Sequence, residues 1–125
     1  MKVLIETFNM ENNRVIFASQ YGKGMAFWDG ESPKINTYYW AEIEIPELLE
    51  WDIDIKTEKS TAYMIGIQRE ACYFTAKVES ACEDGSCIIR IGDSIVVLET
   101  EGRPFENGTY ISFSSKEVTL FNTDI

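Results

Sequence analysis

The sequence has no histidine, three cysteines, three prolines, and 11 basic side chains against 21 acidic ones. Each scarcity excludes something. Without imidazole, no side chain has an ordinary pKa near neutrality, so acid–base catalysis would fall to a carboxylate pair with one member raised by burial. Cys72, Cys82 and Cys87 have no histidine to generate a thiolate, and no nucleophile motif surrounds the serines. The same absence leaves a mixed cysteine–histidine zinc site without its nitrogen ligands. The expectation is a protein that is not an enzyme and carries no metal or cofactor. The shortage of Lys and Arg gives a formal net charge of −10, which repels phosphate backbones and makes nucleic acid a poor partner. No apolar run approaches the roughly 20 residues of a spanning helix. The amino-terminal MKVLIETFNMENN has no small-residue cleavage pattern, and the expected location is the cytoplasm.

What is present is alternation. The 125 residues, 45% of them hydrophobic, suffice for one core, and a single domain over 1–125 is expected. The clearest strand lies at Ile35–Ile45. Its odd positions, Ile35, Thr37, Tyr39, Ala41, Ile43 and Ile45, form one face, and Asn36, Tyr38, Trp40, Glu42 and Glu44 form the other. Pro46 ends this ladder because it has no amide hydrogen. The segment Pro46–Trp51 is the only plausible helix, one or two turns long, with proline in the first turn and Leu48, Leu49 and Trp51 clustered on one side. After it, Ile53 and Ile55 are expected inward, with Asp52, Asp54 and Lys56 outward.

Elsewhere the chain reads as strand upon strand. Met1–Phe8 and Arg14–Ser19 form a hairpin, Gly22-Lys23-Gly24 turns into Met25–Trp28, and Ala71–Ala81 is one long strand. Turn signals at Glu83–Ser86, Gly92-Asp93, Glu101–Pro104 and Asn107-Gly108 punctuate the rest. The fold class is therefore all-β: an antiparallel barrel or sandwich of about nine or ten short strands, with at most one short helix near residues 46–51. The spacing over 61–121 is similar to the rhythm of a small oligonucleotide-binding-type barrel, a likeness of strand spacing alone.

Several short patterns dissolve on inspection. Gly22-Lys23-Gly24 is too short for a phosphate-binding loop. Asp52-x-Asp54 would need glycine where Thr57 stands and glutamate where Tyr63 stands to begin a calcium loop. Asn107-Gly108-Thr109 reads as a turn rather than a glycosylation site in a chain without a secretory signal. Cys82 and Cys87 flank a turn and are expected as two buried small hydrophobes facing each other across a hairpin, with free thiols as the default.

The informative feature is the distribution of charge. Residues 42–58 hold seven acids against one base, a net −6 out of −10. Glu42 and Glu44, about 7 Å apart on strand geometry, could in principle activate a water, but two solvated edge charges are the simpler reading. Tyr38 and Trp40 share their face with Glu42 and Glu44, and Glu47, Glu50, Asp52 and Asp54 follow. Rings within an acidic surround suit a hot spot for a basic protein, where rings supply desolvated area and carboxylates steer Lys or Arg. The competing reading places both rings beneath the amino-terminal hairpin. The functional expectation is a small acidic module that neutralises a basic protein partner, most concretely a bacterial immunity protein bound to its toxin. The alternative is a barrel that binds single-stranded nucleic acid or a small ligand on Tyr38, Tyr39, Trp40 or Tyr73.

Overall fold

Alternating side chains build twelve strands and no helix in the described residues, 1–123, of this computed structural model. In order they are β1 (Lys2–Asn9), β2 (Arg14–Ser19), β3 (Gly22–Asp29), β4 (Thr37–Glu44), β5 (Leu48–Glu50) and β6 (Lys56–Thr57). They continue as β7 (Met64–Gln68), β8 (Ala71–Ala81), β9 (Ser86–Ile91), β10 (Ser94–Glu101), β11 (Tyr110–Ser115) and β12 (Thr119–Asn122). The first four strands and the last close a barrel in the order β1-β2-β3-β12-β4. The others form a curled sheet, β5-β10-β9-β8-β11-β6, with β7 paired to β8 beside β9.

Several details differ from expectation. The turn before β3 falls at Gln20-Tyr21, and Gly22-Lys23-Gly24 is already strand, paired with Phe17, Ala18 and Ser19. The closed barrel comes from the first part of the chain and β12, not from 61–121. Two pairings are parallel rather than antiparallel, β3 with β12 and β5 with β10. The strand count exceeds nine or ten because the three-residue β5 and two-residue β6 each add a short ladder. Finally, 46–51 is not helical. Leu49 and Trp51 point inward while Leu48 is exposed, which is a period of two, and the amides of Ile53, Asp54 and Ile55 all donate to the Glu50 carbonyl in a tight turn. Asp52 sits in the left-handed region at φ 70°. That turn breaks the alternation, so Ile53 is exposed rather than inward, while Ile55 is fully buried.

One continuous cluster of buried side chains spans both sheets. Inside the barrel lie Val3, Ile5, Val15, Phe17, Ala26, Trp28, Ala41, Ile43 and Leu120. Under the second sheet lie Ile65, Phe74, Val78, Ile89, Ile91, Leu98, Ile111 and Phe113. Phe74 and Phe113 are direct cross-strand partners and stack at 5.2 Å, the kind of pair that pins register. Strand β7 joins the halves. Its Ile65 amide donates to the Tyr21 carbonyl at 2.9 Å, and any Cβ at Gly22 would collide with the Ile65 carbonyl. Glycine at φ 126° is what lets the two backbones meet there.

A candidate protein-docking surface

The outer face of β4 begins the site. Backbone parity turns Tyr39, Ala41 and Ile43 toward the barrel interior and leaves Tyr38, Trp40, Glu42 and Glu44 on the outside. Tyr38 is 59% exposed and Trp40 51%, so the rings do not lie under the amino-terminal hairpin. Tyr39, by contrast, is used internally. Its ring meets Trp28 edge-on at 5.0 Å and its hydroxyl accepts a hydrogen bond from the Lys34 amide.

The neighbouring strands decide what surrounds the rings. On the β1 side Lys2 pairs with Trp40 and Leu4 with Tyr38, and the Lys2 ammonium lies 4.8 Å from the centroid of the Tyr38 ring, a cation–π contact. On the β12 side Phe121 pairs with Glu42 and Thr119 with Glu44. The surround is therefore not uniformly acidic: a lysine flanks the rings on one side, and carboxylates continue along the strand.

Beside Trp40 lies a depression of about 490 Å³, bounded by Leu4, Ala18, Tyr21, Tyr38 and Asp93. Its far wall is a corner between the two sheets. The Tyr21 hydroxyl accepts a hydrogen bond from the Asp93 amide at 3.3 Å and donates to the Asp93 carboxylate at 3.4 Å. A second depression of about 330 Å³ shares Met1 and Asp93 with the first and adds Glu42, Ile43 and Ile95. The surface thus runs from the rings of β4, past Asp93, onto β10.

The remaining four expected residues separate. Glu47 faces inward to its own scaffold, accepting hydrogen bonds from the Ser115 hydroxyl and, at 3.4 Å, the Glu117 amide. It ties the β4–β5 connection to the end of β11. Asp54 accepts from the Glu50 amide at 2.8 Å and so shapes the turn. Asp52 lies 4.0 Å from Lys56 through its carboxylate, and its carbonyl accepts from the same ammonium. Glu50 shares the outer face of β5 with Leu48 and pairs in register with Glu101 of β10.

Part of this surface lies outside the residues expected from sequence. Ile95 (57% exposed), Val97 (53%) and Leu48 (58%) stand outward on β10 and β5, with Glu99 and Glu101 continuing the same parity. A signal was there. The phase set by Glu99 and Glu101, carried back along the strand, places Ile95 and Val97 on the solvent side. The adjacent Arg90, partner of Ile95, is engaged by Glu79 at 2.6 Å, a charge-assisted hydrogen bond that raises the Arg90 pKa.

Away from this surface, all three thiols are free. Cys72 and Cys87 are buried but Cys82 is exposed, which corrects the expectation that Cys82 is also inward. Among the described residues no group of acidic or sulfur side chains is arranged to hold a metal ion, and no helix is long and apolar enough to cross a membrane. No family model matches this chain, and no curated protein or solved structure is significantly similar to it.

Proposed function

We propose that this chain is a small protein-binding module that captures and neutralises a basic protein, most concretely an immunity protein of a bacterial cytoplasm bound to a toxin. The observation that carries this reading is the outward exposure of Tyr38 and Trp40 on the strand face that also displays Glu42 and Glu44. Two half-exposed rings on a rigid strand are preformed anchors, and a net charge of −10 steers a cationic partner toward them. The placement of rings gives less support to a nucleic-acid barrel. Tyr39 is directed inward, and Tyr73 is half-buried with its hydroxyl toward Glu58 at 3.4 Å.

The test pairs this chain with the purified product of the adjacent gene, titrated by calorimetry and followed by stopped flow at low and high salt. Tight binding is expected, with an association rate that falls as salt rises, because exposed charges are screened beyond about 10 Å at 0.1 M. Trp40→Ala should weaken binding at least about tenfold while shifting folding stability by only about 0.5 kcal/mol, as expected of a surface position. A stable gel shift with single-stranded DNA or RNA, or equal affinity for the Trp40→Ala variant, would overturn it.

A further inference from the structure

The outer face of the second sheet carries an unpartnered apolar row. Val97 lies directly across from Ile88 of β9, and Leu48 of β5 pairs with Glu99 of β10, one outward position beyond Val97, so Ile95, Val97 and Leu48 follow one another along one solvent-facing surface. Large exposed aliphatics that adjoin are unusual outside interaction sites, whereas scattered ones are ordinary. At the same end of the face, Glu101 pairs in register with Glu50. Like charges placed directly opposite one another oppose folding. No ion pair to either carboxylate is present among the described residues.

We infer that the outer face of β10 and β5, with Ile95, Val97 and Leu48 at its centre and Glu50, Glu99 and Glu101 at its end, docks a basic, amphipathic segment of a protein partner. Charge complementarity identifies the occupant. A second copy of this chain would lay three carboxylates against three carboxylates, and a nucleic acid would bring phosphates to them. A segment that presents aliphatic side chains to the apolar row and Lys or Arg to its acidic end covers Ile95, Val97 and Leu48 and neutralises Glu50 and Glu101 in one step. The inference rests on the reading of this chain as a binder of basic proteins, and it moves the centre of the footprint from β4 to β10. The depression holding Glu42, Asp93 and Ile95 joins the two regions, so one partner reaches both.

The test uses the full chain and a fluorescein-labelled peptide with Leu followed by Lys along one face on strand spacing (the Lys–Leu peptide), with Lys–Ser and Glu–Leu peptides, in which Ser replaces Leu or Glu replaces Lys, as controls. Anisotropy measures affinity, and amide chemical shifts locate the bound peptide. The Lys–Leu peptide should shift amides of β10 and β5, and both controls should bind at least about tenfold more weakly. Ile95→Thr/Val97→Thr keeps the β-branched backbone preference and should lose at least about tenfold in affinity. Glu101→Lys should raise the urea midpoint and yet weaken binding, a combination that a purely structural role for Glu101 would not produce. Shifts confined to β4, unchanged affinity in the double variant, no binding of the Lys–Leu peptide, or a dimer in light scattering that the double variant abolishes would each overturn the inference. If Trp40→Ala weakens the adjacent-gene partner while the double variant does not, this inference fails and the broader reading stands. If neither affects it, both fail.

Discussion

At the scale of single residues, Glu47 shows how a charge that looks like part of a surface can be a fastening. Its carboxylate accepts from Ser115, a residue 2% exposed, and from the Glu117 amide. Removing it leaves a buried hydroxyl with a poorer set of partners. Glu47→Ala should cost about 1.5–3 kcal/mol, the range for hydrogen bonds to a charged group, read from urea unfolding, with binding to a basic partner changed little. The two buried cysteines make a second residue-scale case. Burial raises the Cys72 and Cys87 thiols from 9.0 to about 11. A raised pKa in the folded state means that the unfolded chain loses these protons first, so their contribution is intact below pH 9 and is lost as pH rises from about 9 to about 11. Denaturation midpoints from pH 7 to pH 11 should fall above pH 9, and Cys72→Ala/Cys87→Ala should flatten that fall even though it lowers the midpoint throughout.

At the scale of elements, the β7–β8 hairpin turns on Arg69 and Glu70, both left-handed at φ 52° and 61°. This is the geometry that Asn-Gly fills without strain, and it costs other residues roughly 1–2 kcal/mol each. Arg69→Asn/Glu70→Gly should therefore stabilise the chain by about 1 kcal/mol, measured by urea unfolding. The same hairpin marks what could be read in advance. Its long strand, Ala71–Ala81, is plain in the sequence because Cys72, Phe74, Ala76 and Val78 alternate over a length no other element matches, and β4 is plain for the same reason. The short elements are not. In Pro46–Trp51, too few positions exist to separate one helical turn from three strand residues, and the deciding contact, Leu48 beside Glu99, lies about fifty residues away in the chain. The register of β12 between β3 and β4 is equally invisible, because nothing local to Thr119–Asn122 states which distant edges it will fill. For the candidate surface, parity alone put Tyr38 and Trp40 on one face with Glu42 and Glu44, but whether the amino-terminal hairpin covers that face depends on contacts distant in the chain. The aliphatic row on β10 is legible only when the phase of Glu99 and Glu101 is carried back along the strand, because Ile95, Val96, Val97 and Leu98 by themselves form a continuous apolar run that reads as buried on both sides.

At the scale of the whole molecule, the two sheets are packed against one another through β7, which pairs with β8 and reaches the Tyr21 carbonyl from Ile65. The proposed docking surface depends on that junction, because β4 and β10 would present to one partner only if the Tyr21–Asp93 corner holds. Two of the three tryptophans are placed to report on it. Trp28 is buried in the barrel, with its indole N–H donating to the Glu31 carbonyl at 2.8 Å, and Trp51 is buried under the second sheet against Phe105 at 5.1 Å. Variants retaining only Trp28 or only Trp51 should show each probe unfolding at its own variant's circular-dichroism midpoint, as one cooperative unit requires. Gly22→Ala forces β3 away from the Ile65 carbonyl. In that background the two probes should separate, with the second sheet melting at lower urea than the barrel, since the barrel alone is closed by its own strands. Coincident midpoints in the Gly22→Ala variant would show that the sheets do not rely on this junction, and the geometry joining β4 to β10 would then need another support.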